Sequence, residues 1–150
     1  MIFKNLICER VKTAKETSVS FVASNDSIDR MGDVIDVRGW SLDAYAQNPV
    51  ILFNHDQRAL PIGRGAAEII DNQLMIDIEF DDNDPEAKKI KSKVDGGFLN
   101  AVSVGFKPIK AIERNMLPKE NKYYGEQGTY FEKAELMEVS IVTIPANPQA

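Results

Sequence analysis

The chain has 150 residues, with 18 Lys and Arg against 23 Asp and Glu, a formal net charge of −5. That length suits a single domain, and the acidity argues against a role built on neutralising nucleic-acid phosphates. One Cys rules out an internal disulfide, and one His, His55, rules out sites needing two imidazoles, HExxH zinc proteases and zinc fingers among them.

Residues 3–12 alternate Leu6, Cys8 and Arg10 against Ile7, Glu9 and Val11, which reads as a strand. Residues 18–23 (SVSFVA) are rich in strand formers and are expected to pair with it as a hairpin. Residues 25–33 read as a loop and 33–37 (DVIDV) as a short extended piece. Ser41 is placed to cap a short helix that has Asp43 in its first turn and ends before Asn48-Pro49. Val50-Ile51-Leu52-Phe53 is an apolar run of the buried-strand kind, ending at Asn54-His55-Asp56. Residues 61–70 and 74–80 flank Asp71-Asn72-Gln73 as a hairpin. Asp84-Pro85-Glu86 opens a helix, with Asp as the cap and Pro at the first position, and Gly96-Gly97 stops it. Residues 98–107 read as a strand, 113–128 as a long mobile polar loop, and 130–144 as a last extended stretch closed by Pro145-Ala146-Asn147-Pro148. No apolar run approaches the ~20 residues of a membrane span, and the first residues carry no signal-peptide pattern. The expectation is one soluble domain of 1–150, mainly β with some α, built as an antiparallel β-barrel ringed by a few helices.

Three residues stand out chemically. His55 follows an apolar strand at a loop mouth, where catalytic side chains emerge from rigid scaffolds; a surface or satisfied core histidine fits the same position. Ser103 alternates with Ala101 and Gly105 on one face, with Val102, Val104 and Phe106 on the other. A hydroxyl between two nearly bare positions has room above it for an acyl group, and the same pattern serves close packing of two elements. Glu138 lies inside an apolar strand, on the face of Leu136 and Ser140, where a carboxylate is costly unless paired. It could orient an imidazole, or face solvent as an ordinary Glu. The acidic run Asp81-Asp82-Asn83-Asp84 lacks the spacing, Gly and terminal Glu of a calcium loop, so no metal and no cofactor is expected. Cys8 reads as an inert buried thiol. The lysines at 107, 110, 119 and 122 read as a solvated face.

Taken in order, Phe53-Asn54-His55-Asp56, Pro61-Ile62-Gly63-Arg64, Ala101-Val102-Ser103-Val104-Gly105-Phe106, Glu135-Leu136-Met137-Glu138-Val139-Ser140-Ile141-Val142 and Pro145-Ala146-Asn147-Pro148 resemble the prohead serine proteases of tailed bacteriophages. Gly32-Asp33-Val34-Ile35 matches the same pattern, and the resemblance runs from about Gly32 to the end of the chain. It implies a fold like the herpesvirus assemblin proteases and a catalytic His and Ser at His55 and Ser103. The third member of such sites varies between His and an acid. With no second His here, Glu138 is the choice, Asp56 the fallback and Glu135 a weaker option. Arg64 is a candidate to support an oxyanion-binding region, with a surface salt bridge as the plainer reading.

The resemblance further implies a serine endopeptidase that cleaves capsid scaffolding segments and itself. Its setting would be the host cytoplasm inside the assembling prohead, with expression from a phage or prophage, and by analogy it would form a homodimer. No nucleic-acid or membrane partner is expected. Chains of the family generally continue past the final Pro-Ala-Asn-Pro block, so a shortened or self-processed end is the matching expectation. A non-catalytic capsid-assembly module of the same fold is the alternative.

Overall fold

A computed structural model describes residues 1–5, 10–11 and 18–144. Cys8 and the Pro145-Ala146-Asn147-Pro148 block lie outside the described residues. Apolar–polar alternation decides the clearest element, β8 (Gln73–Phe80), in which Leu74, Ile76, Ile78 and Phe80 are all buried. It pairs antiparallel with β7 (Gly63–Ile70) through Asp71 and Asn72, whose φ angles are 49° and 59°. Two left-handed residues match the twist of a two-residue hairpin, and Asp and Asn tolerate that region. Gln73 belongs to the strand, opposite Ile70, rather than to the turn.

The other strands are β1 (Ile2–Asn5), β2 (Arg10–Val11), β3 (Ser18–Ser24), β4 (Val34–Ile35), β5 (Trp40–Ser41), β6 (Val50–Phe53), β9 (Ala101–Glu113) and β10 (Thr129–Val142). Their order is β1-β9-β10-β6-β7-β8-β3-β2, with β4 and β5 also on β10. The expected pairing of the first stretch with residues 18–23 holds for β2, which pairs antiparallel with β3, whereas β1 pairs with β9 instead. β1 and β2 thus sit at opposite ends of the sheet order although only residues 6–9 separate them. Asn5 to Arg10 can span at most about 18 Å, so the two ends of the sheet must approach each other. The sheet is a curled half-barrel, mainly β as expected.

It is not wholly antiparallel. β4, β5 and β6 run parallel to β10, pairing in turn with Tyr130–Phe131, Ala134–Glu135 and Val139–Ile141. The chain from 34 to 53 climbs along one edge of β10 in three short pieces. A 3-10 turn (Val37–Gly39) and α1 (Asp43–Gln47) separate them. Ser41 is taken up by β5, so Leu42 stands at the cap position of α1, which has no side-chain cap.

The helix α2 (Pro85–Asp95) begins as expected, with the Asp84 carboxylate accepting from the Glu86 amide at 3.1 Å. It buries Ala87, Ile90 and Val94. Among the described residues no helix is long and apolar enough to cross a membrane. The core joins β9 (Val102, Val104, Phe106) to β10 (Leu136, Val139, Ile141) and to the inner face of β8.

The segment after β9 is not structureless. A 3-10 turn (Arg114–Met116) buries the Arg114 side chain. Its guanidinium donates to the carbonyls of Tyr123 (2.9 Å), Gly32 (2.8 Å), Gln127 (3.2 Å) and Tyr124 (3.3 Å). One buried cation thereby supplies the polar loop with a centre, satisfied by four backbone acceptors.

Candidate active site

Register along the β9–β10 pair positions the site. Ser103 lies opposite Ser140 and Gly105 opposite Glu138. Val102, Val104 and Phe106 point into the core, so period-2 alternation sends Ser103 and Gly105 to the other face. β10 would not match them if it were regular. Leu136 faces the core, and strict alternation would carry residue 138 there too. A register shift between Leu136 and Glu138 makes Met137 an extra residue in the strand. After it Val139 and Ile141 occupy the core face, and Glu138 and Ser140 turn toward Ser103. The expectation that Glu138 shares a face with Leu136 is therefore corrected by a β-bulge.

Glu138 is buried, and its carboxylate is provided for. Ser140 Oγ donates to Oε2 at 2.7 Å, and Oε1 is bonded to His55 Nδ1. Gly105 supplies the room, because a Cβ there would lie 2.6 Å from Oε1. The space predicted for an acyl group beside Ser103 is, on the Gly105 side, filled by this carboxylate.

His55 arrives from the end of β6, where Phe53 pairs with Ile141. Asn54 and His55 then both adopt left-handed backbone, with φ of 51° and 58°. Asn and His enter that region more readily than most side chains. Four hydrogen bonds hold the bend to β10 and to Thr143 just beyond it. The Asn54 amide donates to the Ile141 carbonyl at 2.9 Å. The Asn54 side-chain oxygen accepts from the amide and hydroxyl of Thr143, both at 3.0 Å. The His55 amide donates to Ser140 Oγ at 3.1 Å. The ring so placed has Nε2 2.7 Å from Ser103 Oγ.

With Nδ1 donating to Glu138, Nε2 carries the lone pair and accepts from the Ser103 hydroxyl. A neutral imidazole in that tautomer can remove the hydroxyl proton as the oxygen attacks an electrophile, and the carboxylate can stabilise the resulting imidazolium. Ser103 itself is buried, and the imidazole, whose side chain is 18% exposed, is the part of the pair that meets solvent.

Residues 19–150 match the model of the Caudovirus prohead serine protease family. The chain belongs to this family. It is also similar to a prohead protease of Escherichia phage T5, 33% identical over 131 residues, which are 83% of this chain and 56% of that protein. The chain thus spans little more than half the length of that curated relative. No solved structure matches it.

Within this family member, the other candidates fall outside the hydrogen-bonded line. Asp56 turns back on its own loop, accepting from the Arg58 amide at 3.0 Å, and that bond and the Arg58 guanidinium hold its carboxyl below the usual range. Glu135 lies before the bulge, opposite Lys107. Arg64 makes a two-pronged exposed bridge to Glu79, both contacts at 3.1 Å, which is the plainer of its two readings. Asp81 and Asp84 accept from nearby backbone amides in turn and cap geometry. Lys110 and Lys122 reach Glu132 and Asp26 across the surface. Sequence reasoning missed Ser140, Asn54 and the role of Gly105. Ser140 could have been found as the one hydroxyl two positions from Glu138; Asn54 gave no signal before the bend was seen.

Proposed function

We propose that the chain is the catalytic domain of a serine endopeptidase that cleaves capsid scaffolding segments, and itself, during prohead maturation in the host cell. Ser103 is the nucleophile, His55 the general base and then acid, and Glu138 the group that orients and stabilises the imidazole. The observation that carries this reading is the unbroken line Ser103 Oγ–His55 Nε2, His55 Nδ1–Glu138, built from three different strands or strand ends. Ser103 Oγ attacks the peptide carbonyl carbon while its proton passes to Nε2. The tetrahedral intermediate collapses, the C–N bond breaks, and the leaving amine takes the proton from Nε2. Water then attacks the acyl-enzyme ester, gives a proton to Nε2, and releases the acid as Ser103 regains its proton.

One observation favours a second reading, the non-catalytic capsid-assembly module: Ser103 is buried, so a substrate carbonyl reaches it only when a neighbour gives way. Co-expression of the full-length gene product with its capsid and scaffolding proteins separates the two. The protease reading expects cleaved scaffold and a shortened protease with the native chain, and full-length products with Ser103→Ala, all read by intact mass. Normal scaffold processing in the Ser103→Ala background would overturn it.

A further inference from the structure

We propose that Ser140 is a positioning residue for the base, holding the backbone of His55 and the carboxylate of Glu138 through one hydroxyl. The proposal rests on the reading of Ser103 as nucleophile and His55 as base, and adds to it what keeps the imidazole in place. Ser140 is fully buried and lies directly opposite Ser103 in the β9–β10 register. A hydroxyl has one proton to give and lone pairs to accept with. Here the proton goes to Glu138 Oε2 at 2.7 Å, and a lone pair receives the His55 amide at 3.1 Å.

Both ends of the imidazole's support therefore meet on one atom. The amide end matters because His55 and Asn54 are consecutive left-handed residues, a bend that persists only where its surroundings hold it. Asn54 secures the first of the pair through Ile141 and Thr143. Ser140 secures the second. The carboxylate end matters because a Glu side chain can present either oxygen, and a donor on Oε2 leaves Oε1 for Nδ1. A buried hydroxyl that bonds a carboxylate two residues away and an amide 85 residues away in sequence has no need of these partners for strand pairing, which the backbone already supplies.

The test uses the full chain and an alkyl fluorophosphonate, with the rate of Ser103 labelling resolved into probe affinity and maximal rate. Because His55 is the sole imidazole, the proton on Nδ1 is observable without ambiguity as a low-field signal in the proton NMR spectrum. Ser140→Ala is expected to slow the maximal labelling rate by roughly 10- to 100-fold, as small misplacements of catalytic groups do, with probe affinity unchanged. It is also expected to shift or broaden the Nδ1 proton signal. Ser140→Cys fills nearly the same space with a poor donor and acceptor and should behave as Ser140→Ala, which keeps the test open if the alanine variant fails to fold. Labelling of the native chain with an unchanged rate and an unchanged low-field signal in both variants would overturn the proposal and leave the protease reading standing. A native chain that takes no label would instead overturn the nucleophile assignment and with it the role of Ser140 in positioning a base, and a signal that still responds to Ser140 would then show only that its hydroxyl holds the ring.

Discussion

Gly105 and Glu138 face each other across the β9–β10 pair, and the glycine's missing side chain is where the glutamate's carboxylate sits. A Cβ at 105 would stand 2.6 Å from Oε1 and 3.0 Å from Cγ, both closer than side-chain carbons pack. Gly105→Ala should therefore push Glu138 off His55. Overpacking of this kind destabilises by about 1–3 kcal/mol, and displacing a group that orients the base should cost on the order of 10² in rate. Thermal unfolding and peptidase assays on the purified variant check both. Full activity in Gly105→Ala would show that Glu138 does not need its place.

Ser103→Ala and His55→Ala should each lower peptidase activity on the order of 10⁴-fold or more, and the double variant should lose little beyond either one. On the proposed roles, removing the nucleophile or removing its base disables the same unit. Losses that multiply in the double variant would mean that the two side chains work independently, contrary to the 2.7 Å contact between them.

Activity should rise with pH as the imidazole sheds its proton. The sign follows from the chemistry: an imidazolium has no lone pair for the Ser103 proton, so a site that uses His55 as its base should lose activity in acid. A kcat/KM profile with no loss of activity on the acid side, measured over the range in which the chain stays folded, would remove His55 as the base.

Acid should loosen the region of β4 through Asp36. Burial of this carboxyl pushes its pKa up, but hydrogen bonds from Arg38 and Tyr130 outweigh it and hold it below the ordinary 3.8. A depressed pKa contributes stability above the unfolded value, which is lost as pH falls through the folded one. The loss is thus confined to the range below about pH 4. Tyr130 Oη donates to Asp36 at 2.7 Å, so Tyr130→Phe should cost about 1–3 kcal/mol at neutral pH and flatten part of the acid transition. Urea titrations at neutral and acid pH measure it, and an unchanged acid limb in Tyr130→Phe would count against this assignment.

Several parts of this architecture are legible in the residues alone because they rest on local rules. Alternation writes β8, Asp-Asn writes its turn, and Asp-Pro-Glu writes the start of α2. His55, Ser103 and Glu138 could be singled out by residue type and setting, and the ordered blocks around them tie them together. Long-range and irregular features were not legible. The parallel pairing of β4, β5 and β6 with β10 depends on contacts roughly 90 residues apart in sequence. The bulge at Met137 leaves no mark in composition, yet it decides which face Glu138 takes. The buried Arg114 looks, in sequence, like one more charge in a polar loop.

Covalent labelling of the folded chain with a fluorophosphonate, followed by peptide mapping of the adduct, asks whether Ser103 is an activated nucleophile. A phosphonyl group on Ser103 and nowhere else, absent from His55→Ala and Glu138→Gln at matched exposure, is the result expected of a serine activated by a His–Glu pair. Folded protein that takes no label at Ser103, or labels equally well without His55, would contradict it.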